Sequence, residues 1–173
     1  MSESTMPEPT AYDRAAVLGE RLKERIYASL TLLAVLVGLA QGGHATHKGA
    51  TVAVTATALG LWLATLVADM QAHPVVHGRR STRHEIQHEL FTSSPLLTSA
   101  VGPLLLIGVS ALGAVDLTQA LWIAAGSEVL TLALWGFVGG RRAGAGPLHA
   151  VVTSALNAAI GLGVVFVKLL AGH

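Results

Sequence analysis

Five apolar blocks run along the chain, at residues 26–42, 50–68, 95–115, 117–137 and 147–170, and only Glu128 and Lys168 put a formal charge inside them. A helix rises 1.5 Å per residue, so about 20 residues cross a hydrocarbon core of roughly 30 Å. Blocks of 17 to 24 residues are therefore predicted to be membrane-spanning helices. The second block is rich in β-branched residues, but in lipid its backbone groups must be satisfied within the segment, and a helix does that. Tyr27 opens the first block as an interfacial anchor. Pro95 suits the first turn of the third, and Pro103 inside it predicts a kink. Glycine-bearing turns are expected at 42–48 and at 139–144.

The polar stretches between these blocks complete the layout. Residues 1–12 hold Ser, Thr, Glu, Pro7 and Pro9 and read as a disordered tail. Residues 13–25 alternate charges, with Val17, Leu18 and Leu22 on one side, and predict a short amphipathic helix leading to the membrane surface. Residues 1–25 thus form a cytoplasmic lead-in. Residues 26–173 form a five-helix transmembrane domain with a polar cytoplasmic segment at 69–94. The expected class is an all-α polytopic membrane protein of the plasma membrane, its principal partner the lipid bilayer.

Composition sharpens this picture. Charged residues make up only 12% of the chain, against about 25% in a soluble domain. Nineteen glycines suit close helix packing in lipid. The absence of cysteine excludes disulfides and thiolate metal sites. A net charge of +1 gives no reason to expect nucleic acid. Residues 1–25 lack the early apolar core of a secretory signal.

Orientation follows from Lys and Arg. From the N-terminal segment through successive loops to the C-terminus, their counts run 4, 1, 3, 0, 2, 1. The positive-inside rule then puts the N-terminus and the second and fourth loops in the cytoplasm and the C-terminus outside.

Several residues could carry chemistry. Glu128 lies about 18 Å along the fourth span, slightly past mid-membrane. An acid there costs roughly 2.5 kcal/mol or more on insertion scales. It serves either as a proton or cation site or as a neutral acid hydrogen-bonded between helices, with Ser127, Thr131 and Asn157 as candidate neighbours. Asp69 closes the second block at its cytoplasmic edge, as an ion-entry ligand or as an interfacial acid that ends the helix.

His84-Glu85-Ile86-Gln87-His88 matches H-E-x-x-H. On a helix, positions i and i+4 place both imidazoles on one face, where they can share a metal, and the Glu can activate a bound water. Glu89 adds a further carboxylate. The segment is read as a divalent-metal site of His84, His88, Glu85 and Glu89, as a zinc hydrolase centre, or as the solvated face of an interfacial helix. His44 and His47, and His73 and His77, could each bind metal weakly, although Pro74 argues against a regular helix around the second pair. In the fifth block Ala155, Ala159 and Gly163 recur every four residues and predict a face for close helix packing.

The layout of five spans, with a charged cytoplasmic segment between the second and third, resembles the vacuolar iron transporter family. Asp69-Met70 ending the second span, the His/Glu segment 84–89 and Pro95 carry the likeness. The resemblance implies divalent-metal binding in the cytoplasmic segment, exchange of metal for protons, and a dimeric pore, hence a homo-oligomer. Residues 28–38 hold no acid where that family has Asp-Gly in its first span, and the cytoplasmic segment is shorter. The chain is also similar to five-span integral membrane proteins of actinobacteria through Leu61-Trp62-Leu63-Ala64, His88-Glu89, Pro95, Gly102-Pro103 and Val167-Lys168-Leu169-Leu170. That group has no assigned activity. The expected function is a transporter or channel for a divalent cation or protons, with Glu128 and Asp69 on the ion pathway. The alternatives are a membrane-embedded zinc hydrolase and a structural membrane protein without transport.

Overall fold

The computed structural model describes residues 11–77, 94–144 and 146–172, and the described residues are all-helical with short turns and no strand. The helices are α1 (Ala11–Gln41), α2 (His47–His77), α3 (Ser94–Ser99), α4 (Val101–Ala111), α5 (Leu117–Arg142) and α6 (Gly146–Ala171). Between α1 and α2 the chain turns through Gly43, whose φ of 64° lies in the left-handed region that glycine enters without a Cβ clash. Asp116 caps α5, its carboxylate accepting a hydrogen bond from the Thr118 backbone N–H at 2.9 Å.

α1 is the helix the others surround, in contact with α2, α3, α5 and α6. The reason is written in its spacing. Glu24, Ala28, Ser29, Leu32, Leu33, Leu36, Val37 and Ala40 recur at three- and four-residue steps, and every one is buried. The amphipathic lead-in expected as a separate element is the first part of this same helix. Arg25 is followed directly by Ile26 and Tyr27, with no glycine, proline or turn residue to interrupt the backbone hydrogen bonds.

α5 and α6 form an antiparallel pair whose close approach depends on glycine. A Cβ on Gly136 would lie 2.6 Å from the Thr153 carbonyl oxygen, and one on Gly140 would lie 2.6 Å from Ala150 Cα. Two hydroxyls of α6 bond to the backbone of α5: Thr153 donates to the Gly136 carbonyl at 2.8 Å, and Ser154 to the Ala133 carbonyl at 2.7 Å. The packed face of α6 therefore runs through Ala150, Thr153, Ser154, Asn157 and Gly161. The stripe of Ala155, Ala159 and Gly163 lies off that face and is exposed. α6 carries small residues on more than one side, so their spacing alone does not say which side meets α5. The matching glycines and hydroxyls decide it.

The third apolar block is interrupted, as Pro103 predicts, but one turn earlier than the proline itself. Pro103 has no N–H to offer the Ser99 carbonyl. The helix breaks at Ala100, whose N–H bonds back only three residues, to the Leu97 carbonyl at 3.3 Å. The expected end at Val115 also shifts: α4 stops at Ala111, and Gly113 with φ 83° turns the chain away. Two other boundaries move outward. α5 continues through Gly139 and Gly140 to Arg142, so the turn expected from Gly139 begins at Ala143. α2 passes Asp69 and runs through Pro74 to His77, although Pro74 has no N–H for the Met70 carbonyl.

Three stretches are long and apolar enough to cross a membrane: His47–Gln71, Leu117–Arg142 and Gly146–Ala171. Their outward faces are apolar, with Leu130, Leu134, Leu156, Ile160, Phe166 and Val167 all exposed. A water-soluble monomer rarely presents so continuous an apolar surface, whereas lipid tails cover it at no cost. The chain has the exterior of a membrane protein.

Adding a methyl at the α5–α6 contact should separate the helices. Gly136→Ala is expected to destabilise the detergent-solubilised protein by about 1–3 kcal/mol, the range for overpacking a close contact. Gly126→Ala, where a Cβ meets nothing within 4 Å, should leave thermal unfolding unchanged. Equal melting of the two variants would show that this contact is not made.

Candidate functional site

Two buried carboxylates lie along the α1 stripe, one on α1 itself and one facing it from α5. Glu128 falls in the buried stripe of α5 with Leu121, Ala124, Ala125 and Leu132, and only 4% of its surface is exposed. It faces protein, not lipid. Its carboxyl group meets the hydroxyl of Ser29, a fully buried residue of α1. Its second oxygen, Oε2, is buried and has no hydrogen-bond partner among the described residues. The neighbours expected on its own helix are committed elsewhere: Ser127 donates to the Ala124 carbonyl at 2.7 Å and Thr131 to the Ser127 carbonyl at 2.8 Å. Asn157 sits against Gly136, two turns along α5 from Glu128.

Glu24 is the second buried acid, 6% exposed, with its Oε2 also unpartnered. Burial raises its carboxyl from the ordinary 4.5 to about 7, helped by the negative charges of Asp69 and Glu20 and only partly offset by Lys23 and Arg21. Lys23 is held by Glu20 in an exposed ion pair at 2.6 Å, which limits what it can give Glu24. Asp69 is thus not a residue that ends α2. It sits half-buried on a continuing helix, where its charge acts on Glu24 and on Lys23 across the α1–α2 packing. The acids form two stations: Glu24 with Asp69 near the polar end of α1, and Glu128 with Ser29 further in.

No lysine or arginine occurs in residues 26–41, 50–71, 96–111, 117–140 or 146–167. None of these segments therefore offers Glu128 a lysine or arginine as countercharge.

The other expected site residues separate from this pair. His47 is bonded through Nε2 to the Ser110 hydroxyl at 3.0 Å, joining the start of α2 to the end of α4. Among the described residues no group of three His, Asp or Glu side chains is placed to hold a metal ion. His84, Glu85, His88 and Glu89 lie outside the described residues. Compared with protein-family models, with curated proteins and with solved structures, the chain matches none of them.

Glu24 and Ser29 escape a reading by apolar blocks, because Glu24 falls in a charged stretch and Ser29 is unremarkable in an apolar one. The four-residue ladder Glu24, Ala28, Leu32, Leu36, Ala40 is the signal that finds Glu24.

The raised Glu24 group makes stability depend on pH with a definite sign. The folded protein holds this proton more tightly than the unfolded chain. Its contribution is complete below about 4.5 and is lost as pH rises through about 7. Wild-type melting temperature should fall across that window relative to Glu24→Gln, which cannot ionise. Parallel melting curves for the two proteins from pH 4.5 to 7 would show that Glu24 is solvated.

Proposed function

We propose that the protein has five membrane spans, with the N-terminus in the cytoplasm, and moves protons or a cation across the bilayer. Glu128 is the intramembrane site. Asp69 and Glu24 form the cytoplasmic entrance, on the side that the distribution of Lys and Arg assigns to α1's first turns. His84, Glu85, His88 and Glu89 would gather a divalent cation ahead of that entrance. The exposed stripe of Ala155, Ala159 and Gly163 is the surface on which a second copy would pack.

One observation carries the reading: Glu128, a residue of α5 only 4% exposed, faces α1 with one carboxyl oxygen unpartnered among the described residues. A buried polar atom without a partner costs about 1–3 kcal/mol, and a bound cation would satisfy this oxygen. An acid kept for transport needs a free coordination position. The contact with Ser29 favours a second reading, in which Glu128 fastens α1 to α5 and nothing moves.

Flux separates the two. In proteoliposomes the wild-type protein should carry protons or a divalent cation down an imposed gradient, and Glu128→Gln should abolish that flux while the protein remains folded. Equal flux in both would make Glu128 a structural fastener. The span count is tested with a reporter that works only in the cytoplasm. A tag on the N-terminus should be active and one on the C-terminus silent, and activity at both ends would require an even number of spans.

A further inference from the structure

A cavity of about 480 Å³ opens between the first turns of α1 and the last turns of α5. Its size falls in the range of small-ligand sites. Three arginines line it: Arg21 and Arg25 from α1 and Arg142 from α5. Among the described residues, no acid lines it. The remaining wall is largely apolar, with Leu18, Leu22, Trp135 and Val138.

We propose that this cavity binds the phosphate-bearing headgroup of an anionic phospholipid, with the start of an acyl chain against its apolar wall. The inference rests on the chain being embedded in a membrane and does not depend on ion movement through Glu128.

The arrangement on α1 is two-faced. Glu24 and Lys23 interact electrostatically with Asp69 of α2, and Glu24 also with Glu20 and Arg21. Arg21, Leu22 and Arg25 turn toward α5. Arg21, Arg25 and Arg142 give the recess a cationic lining, with no acid among the described residues that line it, at one end of an apolar bundle, where headgroups lie. Arg25 is held in place there, its guanidinium 4.8 Å from the centre of the Trp135 ring. A stacked guanidinium keeps its N–H edges available, and arginine binds phosphate oxygens in a bidentate fork. Trp135 is itself a residue of the interfacial zone. Gly139 keeps the recess open, since a Cβ there would meet Leu22 Cδ2 at 3.0 Å.

Arg141 and Arg142 also complement the negative end of the α5 dipole, a role that needs no ligand. That role treats the two alike, whereas only Arg142 lines the cavity. The pair therefore provides its own control. Basic pockets between membrane helices on the cytoplasmic side are a recurrent place for anionic headgroups.

The test uses the full chain, purified in a neutral detergent and titrated with phosphatidylglycerol, with phosphatidylcholine and inorganic phosphate as comparisons. Binding is read by native mass spectrometry and by the shift in melting temperature. Phosphatidylglycerol should bind at about one per chain and raise the melting temperature, and neither comparison should do so at the same concentration. Arg142→Gln should weaken binding about tenfold, as expected for loss of one charge-assisted pair, and Arg141→Gln should leave it unchanged. Equal weakening by the two variants would reduce the effect to general surface charge and overturn the proposal. So would equal binding of phosphatidylcholine, or displacement of the lipid by inorganic phosphate, which would make the site one for free phosphate.

Discussion

An acid placed in the middle of an apolar helix cannot be left facing hydrocarbon, and that constraint fixes how α1 and α5 meet. A central carboxylate costs roughly 2.5 kcal/mol or more on insertion scales. One neutral hydrogen bond recovers only about 1 kcal/mol net. The Ser29 hydroxyl therefore cannot by itself account for Glu128. Burial against α1 has to supply the rest, by removing the group from lipid and by packing Leu32, Leu33 and Leu36 against α5 and its neighbours. The polar contact is thus set within a stripe of aliphatic packing that positions it. The unpartnered oxygen that remains is a group for which helix packing alone gives no account.

The α5–α6 pair solves the complementary problem. Lipid gives apolar helices no hydrophobic reason to associate, so close backbone approach and hydrogen bonds between helices must hold them. Gly136 and Gly140 provide the approach, and Thr153 and Ser154 provide the bonds. With one face committed in this way, the opposite side of α6 is left apolar and exposed, from Leu156 through Ile160 to Val167. α1, which meets helices on several sides, shows the reverse, with eight consecutive stripe positions buried. The contrast between a surrounded helix and a peripheral one also places the buried acids: Glu24 lies on α1 and Glu128 faces it, whereas α6 carries no acid.

The helical class and the apolar blocks are legible because a hydrocarbon core imposes length and composition on any segment within it. The break near Pro103 is legible for a similarly local reason, a missing donor. What lies between helices is not. Ala155, Ala159 and Gly163 form as regular a stripe as the face that packs on α5, and only the partner's glycines separate the two. Asn157 reads as a neighbour of Glu128 if α6 packs on α5; α6 does pack there, but in a register that sets Asn157 against Gly136, and α1 faces Glu128. Glu24 is hidden because a charged flank looks solvated until the ladder from Glu24 to Ala40 is followed across the expected boundary at Ile26. The His84–Glu89 cluster remains a matter of sequence, since those residues fall outside the described part of the chain.

Everything proposed for Glu128 depends on its facing α1 inside the bundle. The chain contains no cysteine, so a pair can be introduced without background. In native membranes, a short bifunctional thiol reagent applied to Ser29→Cys/Glu128→Cys should join α1 to α5. The same reagent should fail with Ser29→Cys/Leu130→Cys, because Leu130 points outward and is 72% exposed. Cross-linking of the second pair in preference to the first would turn Glu128 away from α1 and contradict the packing on which the proposed ion site rests.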